Sequence, residues 1–318
     1  MNILVTPSLN EQQKSKLLAA APEQNFIFCP QKEITEKELE TADIILGNLA
    51  APSQLSLCKQ LKWIQLNNAG TEGYCVPGLL PESAKLANAT GAYGLAISEH
   101  MIGCLFELKK KLNLYYRNQL AHNWHSEGHV TVIEGSTVLV IGFGDIGSTF
   151  GKKMKGLGCR VLGVKRRPVE KPDWLDGLYS MEELDELLPQ ADIIAMSLPG
   201  NASTYHVLNK ERIGLLKKNA IILNVGRGTA IDTDALVETL NAQAIAGAAL
   251  DVTDPEPLPA DHPLWDCPNV ILTPHVSGGF SLPETLEQIV DLFAVNLKHY
   301  FSGEELENIV DLNTGYKK

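Results

Sequence analysis

The sequence has little positive charge. It carries 27 Lys and Arg residues against 38 Asp and Glu residues, which gives the 318-residue chain a formal net charge of −11. Affinity for nucleic acids comes largely from basic side chains that neutralise phosphates, and attachment to anionic membrane surfaces needs a basic face. The composition therefore predicts neither a nucleic-acid-binding protein nor one that binds membranes through a polybasic face.

Long apolar runs and paired cysteines are also absent. No uninterrupted apolar stretch reaches the roughly 18 residues of a transmembrane helix, and the first residues lack the basic and apolar regions of a signal peptide. The six cysteines are scattered, with no C-x-x-C pair. This usage is typical of reduced thiols in a cytosolic protein. These features predict a cytoplasmic protein.

Short apolar segments alternate with helical patterns along the chain, which predicts parallel sheets covered by helices. A first series of strands is expected at 3–5, 26–28, 43–46, 63–66 and 86–88, and a second at 137–141, 160–164, 192–196, 220–224, 245–250 and 270–272. One long helical stretch, 97–120, separates the two series, and another helix is expected at 283–301. Capping-box spacings, Thr35 with Glu38 and Ser180 with Glu183, mark two helix starts. We therefore predict an α/β protein with two doubly wound parallel-sheet domains.

A glycine-rich loop follows the strand expected at 137–141. Gly142, Gly144 and Gly147 form the pattern G-x-G-x-x-G, with Asp145 and Ile146 between them, and a helical pattern follows. Glycines at these positions permit a tight turn, a close approach of the backbone to a pyrophosphate and close helix packing. The strand–loop–helix context predicts a dinucleotide-binding site, with a purely structural turn as the alternative.

A basic turn ends the next strand of the series. Lys165, Arg166 and Arg167 stand where NAD sites usually place an acidic residue that binds the adenosine ribose hydroxyls. Such cations pair well with a 2′-phosphate. The turn favours NADP over NAD as cofactor, and a solvated turn that contacts nothing is the alternative.

Three further segments follow predicted strands of the same series. They contain Arg227 after the strand at 220–224, Asp251 and Glu256 after 245–250, and His275 after 270–272. Ligands of doubly wound sheets bind at the carboxyl ends of the strands. Each residue alone is more often structural or solvated, but the ordered set favours a shared catalytic crevice.

Together with the glycine loop and the run from Ala191 to Pro199, these segments resemble the D-isomer-specific 2-hydroxyacid dehydrogenase family. The segments around Ala69–Gly70 and 87–91 are similar to that family's substrate-domain motifs. The resemblance covers nearly the whole chain. It implies a Rossmann cofactor domain at 99–284 and a flavodoxin-like substrate domain at 1–98 and 285–318.

The resemblance implies a role for each matching residue. Arg227 is expected to bind the substrate carboxylate and polarise the 2-oxo group, and His275 to exchange a proton with that oxygen. Glu256 is expected to pair with His275, orient it and favour its protonated form. Asp251 is expected to hold the nicotinamide carboxamide, and the backbone amides of Ala69 and Gly70 to receive the substrate carboxylate.

The implied reaction is reversible, NAD(P)-dependent reduction of a small 2-oxo acid to the D-2-hydroxy acid. The segment ahead of the glycine loop resembles the family's dimerisation region, so a homodimer through the cofactor domain is expected, with Trp124 near a neighbouring active site. Two alternatives remain open: a non-catalytic dinucleotide sensor or corepressor with this fold, and formate dehydrogenase, which generally has Gln where Glu256 stands. No metal site is predicted, because His122, His125 and His129 lack Cys or acidic partners.

Overall fold

The computed structural model describes residues 1–167, 170–267, 269–280 and 282–317. The chain folds into two compact units. Unit 1 comprises Met1–Tyr93 with Leu282–Lys318, and unit 2 comprises Gly94–Ser281.

Unit 1 contains a five-stranded parallel sheet. Its elements in chain order are β1 (Asn2–Val5), α1 (Glu11–Ala20), β2 (Asn25–Phe28), α2 (Glu36–Thr41), β3 (Ile44–Leu46), β4 (Trp63–Gln65), β5 (Lys85–Ala87), with α9 (Pro283–Ser302), β13 (Val310–Asp311) and β14 (Tyr316–Lys317) near the end of the chain. The strand order is β2-β1-β3-β4-β5, the flavodoxin-like order. The short β13–β14 pair is antiparallel and separate.

Apolar strands form the centre of unit 1. Leu4, Ile45 and Ile64, on three neighbouring strands, are fully buried. The last helix belongs to the same body because α9 packs against α1. Gln13 donates a 2.8 Å hydrogen bond to Glu287 across that contact. The two stretches of unit 1 are therefore joined by direct packing, although they are far apart in sequence.

Unit 2 contains a seven-stranded parallel sheet. Its elements are α3 (Gly94–Lys110), α4 (Leu112–Leu120), β6 (Thr137–Ile141), α5 (Asp145–Gly156), β7 (Arg160–Val164), β8 (Gly177–Tyr179), α6 (Leu184–Leu187), β9 (Ile193–Met196), α7 (Lys210–Ile213), β10 (Ile221–Asn224), α8 (Thr233–Asn241), β11 (Gly247–Leu250) and β12 (Val270–Leu272). The order is β12-β11-β10-β9-β6-β7-β8, all parallel. Counted from β6, this is the Rossmann order with a seventh strand added, so the predicted fold class is confirmed for both units.

Local sequence signals account for two of the helix starts. Thr35 and Glu38 form a capping box, as do Ser180 and Glu183, and both predictions are confirmed. The predicted long helix at 97–120 is wrong in one respect, because Lys111 adopts a left-handed conformation (φ 58°) that separates α3 from α4. The edge strand β8 was not predicted. No helix within the described ranges is long and apolar enough to cross a membrane.

Candidate active site

The candidate site residues of unit 2 follow neighbouring strands at one edge of its sheet. Arg227 lies after β10, Asp251 directly after β11, and His275 shortly after β12. These three strands are adjacent in the order β12-β11-β10 and run parallel, so their carboxyl ends share one edge. The glycine loop leaves the carboxyl end of β6, which lies beyond β9 in the same sheet. The strand order changes direction between β6 and β9, which is where such sheets bind ligands.

The glycine loop fits a dinucleotide phosphate. Gly142 has φ +97°, which favours glycine, and a Cβ atom there would lie 3.0 Å from the backbone of Ser197. A Cβ atom at Gly147 would lie 2.3 Å from the carbonyl oxygen of Gly142. At Gly144, by contrast, an added Cβ atom meets nothing within 4 Å, so the backbone is open to a ligand. Helix α5 begins with Asp145 and Ile146 directly after this loop, and the amino terminus of a helix is favourable for an anion.

The basic turn lies beside the glycine loop. Gly142 and Phe143 donate amide hydrogen bonds of 3.1 and 3.0 Å to the carbonyl oxygen of Val164, the residue before Lys165. The Lys165 amide donates a 3.0 Å bond to Tyr179 on β8. Arg166 and Arg167 are exposed. The backbone of the turn is thus fixed by both neighbouring strands, while its cationic side chains reach solvent beside the phosphate loop.

Close backbone packing fixes the loop that carries Arg227. The buried Asn224 side chain accepts from the Gly226 amide (3.1 Å) and donates to the Arg227 carbonyl (3.0 Å). A Cβ atom at Gly228 would lie only 2.0 Å from the carbonyl group of Thr253, so the loop lies directly against the segment that leads to Glu256. Arg227 Nη1 also donates to the carbonyl oxygen of Gly226 at 2.7 Å. The half-buried guanidinium therefore projects from a rigid loop.

Asp251 is buried and accepts several hydrogen bonds. Its carboxylate accepts from the Thr273 hydroxyl (2.6 Å), the Val276 amide (2.9 Å), and both the amide (3.1 Å) and the hydroxyl of Ser277. Burial alone would raise the pKa of Asp251, but the donors from Ser277, Thr273 and Val276 outweigh it and lower the pKa below its ordinary value. An ionised carboxylate therefore ties the end of β11 to the segment that carries His275.

His275 and Glu256 form a close hydrogen-bonded pair. His275 Nδ1 lies 2.6 Å from Glu256 Oε1, and both side chains are close to half exposed in unit 2. His275 has a left-handed backbone (φ 53°), which costs a residue with a side chain on the order of 1 kcal/mol. Its amide donates a 2.8 Å bond to the Asp251 carbonyl, which holds this conformation. A carboxylate only accepts hydrogen bonds, so Nδ1 carries the proton in this pair and Nε2 is left for proton exchange.

One contributor was missed in the sequence. His100, on α3, is not among the residues singled out in the sequence, and its Nε2 lies 3.2 Å from the Thr273 hydroxyl. That hydroxyl donates to Asp251, so it accepts from His100 Nε2–H. His100 thus supports the orientation of the Asp251 carboxylate through Thr273. The two residues are 173 positions apart, and no local pattern indicates the contact.

Ala69 and Gly70 lie in unit 1, after β4. Both are half-buried, and the carbonyl oxygen of Ala69 accepts a 2.7 Å bond from the Asn88 side chain. Across the part of the chain that the structure describes, the backbone amides of Ala69 and Gly70 donate to no protein acceptor. Their loop therefore offers two amide donors at the carboxyl edge of its sheet.

Comparison with known proteins decides the family. The model of the D-isomer specific 2-hydroxyacid dehydrogenase NAD binding domain matches residues 102–277, more than half of the chain. The chain belongs to the D-isomer specific 2-hydroxyacid dehydrogenase family. This confirms the sequence-based prediction of an oxidoreductase that acts on the CH–OH group of a 2-hydroxy acid with a nicotinamide dinucleotide. It supports the catalytic interpretation over a sensor or a formate dehydrogenase.

Three relatives illustrate the match. A D-isomer specific 2-hydroxyacid dehydrogenase family protein from Aeromonas salmonicida is 32% identical, with a TM-score of 0.85 over 98% of this chain and 99% of that one. A D-isomer specific 2-hydroxyacid dehydrogenase from Xanthobacter autotrophicus, solved with NADPH and MES, is 26% identical, with a TM-score of 0.83 over 99% of each chain. A glyoxylate reductase from Thermofilum pendens is 30% identical over 254 residues, which cover 77% of this chain and 73% of that one.

Proposed function

We propose that this dehydrogenase reduces a small 2-oxo acid of the glyoxylate or hydroxypyruvate kind to the D-2-hydroxy acid, with NADPH as the preferred reductant. The observation that carries the proposal is the cluster at the carboxyl ends of three adjacent strands. A fixed guanidinium, an imidazole paired with a carboxylate and a buried ionised carboxylate follow these three strands. The similarity to a glyoxylate reductase supports the choice of substrate class.

When bound, the reduced nicotinamide supplies the hydride that the 2-oxo carbon receives. Arg227 binds the substrate carboxylate and polarises the 2-oxo group with its planar set of donors. His275 donates the Nε2 proton to the oxygen as the carbon is reduced, and in the oxidative direction it removes that proton. The proton and the hydride together account for the two hydrogens that the product gains.

In this proposal, Glu256 acts through its contact with His275. Its carboxylate holds Nδ1 at 2.6 Å, so it fixes the ring orientation and stabilises the positive charge of the proton-donating form. Asp251 accepts from the nicotinamide carboxamide in this proposal, and the amides of Ala69 and Gly70 bind the substrate carboxylate. We assign unit 1 as the substrate domain and unit 2 as the cofactor domain.

The basic turn supports the preference for NADPH. Lys165, Arg166 and Arg167 follow β7, next to the phosphate loop that follows β6, and no acidic side chain stands among them. The relative from Xanthobacter autotrophicus was solved with NADPH. A phosphate monoester carries close to two negative charges, so it gains far more from this turn than a hydroxyl does.

His275→Ala tests the proposed proton transfer. We expect kcat to fall by about 10²-fold or more, because general acid catalysis contributes roughly that factor, while the affinity for NADPH stays within about twofold. Stopped-flow absorbance of NADPH oxidation measures the first, and fluorescence titration of the cofactor measures the second. Loss of NADPH binding would show that His275 has a structural role instead.

Arg227→Lys is the companion variant because it keeps the charge and removes the planar fork. We expect kcat/KM for glyoxylate to fall by about 10²-fold, since two oriented, charge-assisted bonds are replaced by one mobile contact. NADPH binding serves as the control, and it should be unchanged. Near-native kinetics would remove Arg227 from the mechanism.

We also propose a homodimer formed through unit 2. Leu112, Tyr116 and Leu120 recur every four residues on α4, and each is more than half exposed, so they form one apolar helix face. Trp124, which follows this helix, is fully exposed, and we propose that it approaches the active site of the second copy. Light scattering of Leu120→Asp should show a monomer where the parent protein is a dimer, and a monomeric parent protein would contradict the proposal.

All six cysteines are free thiols, which supports a reducing, cytoplasmic location.

A further inference from the structure

A cavity of about 200 Å³ lies in unit 2, at the edge of the sheet opposite to the candidate active site. Asn219 precedes β10, Ala246 precedes β11 and Asn269 precedes β12, so these lining residues mark the amino ends of the three strands. Arg227, Asp251 and His275 follow the carboxyl ends of the same strands. The strands have three or four residues each, so the two edges are separated by about 10–13 Å of sheet.

Lys109 lies in the wall of this cavity. It belongs to the last turn of α3 and is 5% exposed. Within the described residues, its ammonium group forms no hydrogen bond or ion pair. Burial lowers the pKa of Lys109, with partial compensation from the charge of Asp192. The Lys109 nitrogen is not among the fully buried, unpartnered polar atoms of the described residues, so the ammonium group keeps some contact with solvent.

The carboxylate of Asp192, whose charge acts on Lys109, already accepts hydrogen bonds from other groups. Asp192 accepts from the Thr137 amide (2.9 Å), from Lys217 (3.0 Å) and from the Asn219 side chain (3.1 Å). It therefore attracts Lys109 without bonding to it. Lys109 lines a cavity with room for a small molecule, and Lys111 and His129 add basic residues to the lining.

A second polar atom in the wall also has no partner. Asn269 Oδ1 is buried and accepts no hydrogen bond in the described part of the chain, while Asn269 Nδ2 donates to the Ala246 carbonyl at 3.2 Å. An acceptor in this position requires an O–H or N–H donor. The rest of the lining is largely apolar, with Leu108, Leu114 and Ile221 among the side chains.

We infer that this cavity binds a small organic anion that carries a hydroxyl group, with the anionic group on Lys109 and the hydroxyl donating to Asn269 Oδ1. The anionic group is a carboxylate or a phosphate ester, since an ammonium group pairs with either. The inference is independent of the proposed reaction, because no residue of the candidate active site contributes to the cavity.

Calorimetric titration of the full-length protein tests the inference. The probes are glycerol 3-phosphate, 3-hydroxybutyrate and inorganic phosphate. Neither hydroxylated probe carries an oxidisable group next to a carboxylate, so neither resembles the proposed substrate. We expect glycerol 3-phosphate or 3-hydroxybutyrate to bind, which identifies the preferred anionic group. Inorganic phosphate should bind more weakly than glycerol 3-phosphate if that ester binds.

Two variants locate the site. Lys109→Met keeps the length of the side chain and removes its charge. We therefore expect it to lower the affinity for the probe at least tenfold and to leave the Tm equal or higher. Asn269→Asp places a negative charge at the second contact, and it should weaken the same probe by a similar factor. Lys218→Met is the matched control, because Lys218 is exposed beside Asn219 and outside the lining; it should leave the affinity unchanged. Arg227→Ala should also leave it unchanged.

Two outcomes would overturn the inference. One is the absence of binding by all three probes at millimolar concentration, which would mean that the cavity holds water or a side chain of a second copy. The other is binding that survives both Lys109→Met and Asn269→Asp, which would place the bound probe elsewhere on the protein.

Discussion

Removal of the charges on the basic turn gives a quantitative prediction about cofactor choice. The perturbation is the triple variant Lys165→Gln, Arg166→Gln and Arg167→Gln. The backbone of the turn is held by amide hydrogen bonds from Gly142 and Phe143 to Val164 and from Lys165 to Tyr179, and none of these involves the replaced side chains. The variant should therefore fold normally and change only the charge beside the phosphate loop.

The size of the effect follows from the exposure of the turn. Arg166 and Arg167 are exposed and Lys165 is half-buried, so each contact with a 2′-phosphate is screened by water and contributes about 1 kcal/mol. Three such contacts give about 3 kcal/mol, which corresponds to roughly a 10²-fold loss of kcat/KM for NADPH. NADH lacks the phosphate, so its kcat/KM should change by no more than about threefold.

Steady-state kinetics with both cofactors, at one fixed ionic strength, measure this ratio. The salt dependence provides a second readout, because screened charge pairs weaken as salt rises. In the parent protein the KM for NADPH should increase with salt, and in the triple variant it should increase much less. Equal losses for NADPH and NADH, or no loss for either, would refute the assignment of the turn to the 2′-phosphate.

Three further predictions concern the proposed catalytic cluster. Glu256→Gln keeps a hydrogen bond to His275 but removes the charge, so kcat should fall at least tenfold in a turnover assay while the KM for NADPH stays constant. His100→Ala should raise the KM for NADPH by a factor several-fold larger than the factor by which it lowers kcat. His100→Gln retains an N–H donor, so it should restore the KM for NADPH. The depressed pKa of Asp251 means that its stabilising effect is complete above about pH 4 and is lost as the pH falls through the folded-state value. Thermal unfolding of Asp251→Asn should therefore show lower stability at pH 7 and a flatter decline below pH 4.

The strands were predictable where a short apolar run ends at a clear turn signal. Residues 137–141 and 160–164 were predicted residue for residue, because each run is bounded by glycine or by polar residues. The edge strand Gly177–Tyr179 has only three residues and no alternation, so its pairing with β7 depends on tertiary contact. The break at Lys111 was also hidden, because the surrounding lysines and leucines all favour a helix.

The sheet edge that carries the candidate site was predictable for a topological reason. Parallel strands end at the same edge, so placing Arg227, Asp251 and His275 after successive strands was enough to bring them together. The support around them was not predictable. Ser277 and Thr273 surround Asp251, and His100 reaches Thr273 from α3, through contacts that only the folded chain creates.

We propose that Arg227, Glu256 and His275 together reduce a small 2-oxo acid with NADPH. The most direct measurement is the rate of NADPH and NADH oxidation by the purified protein with glyoxylate, hydroxypyruvate, pyruvate and a bulkier 2-oxo acid. We expect turnover of glyoxylate or hydroxypyruvate, a higher kcat/KM with NADPH than with NADH, and loss of turnover in His275→Ala. No oxidation of either cofactor with any of these acids would contradict it.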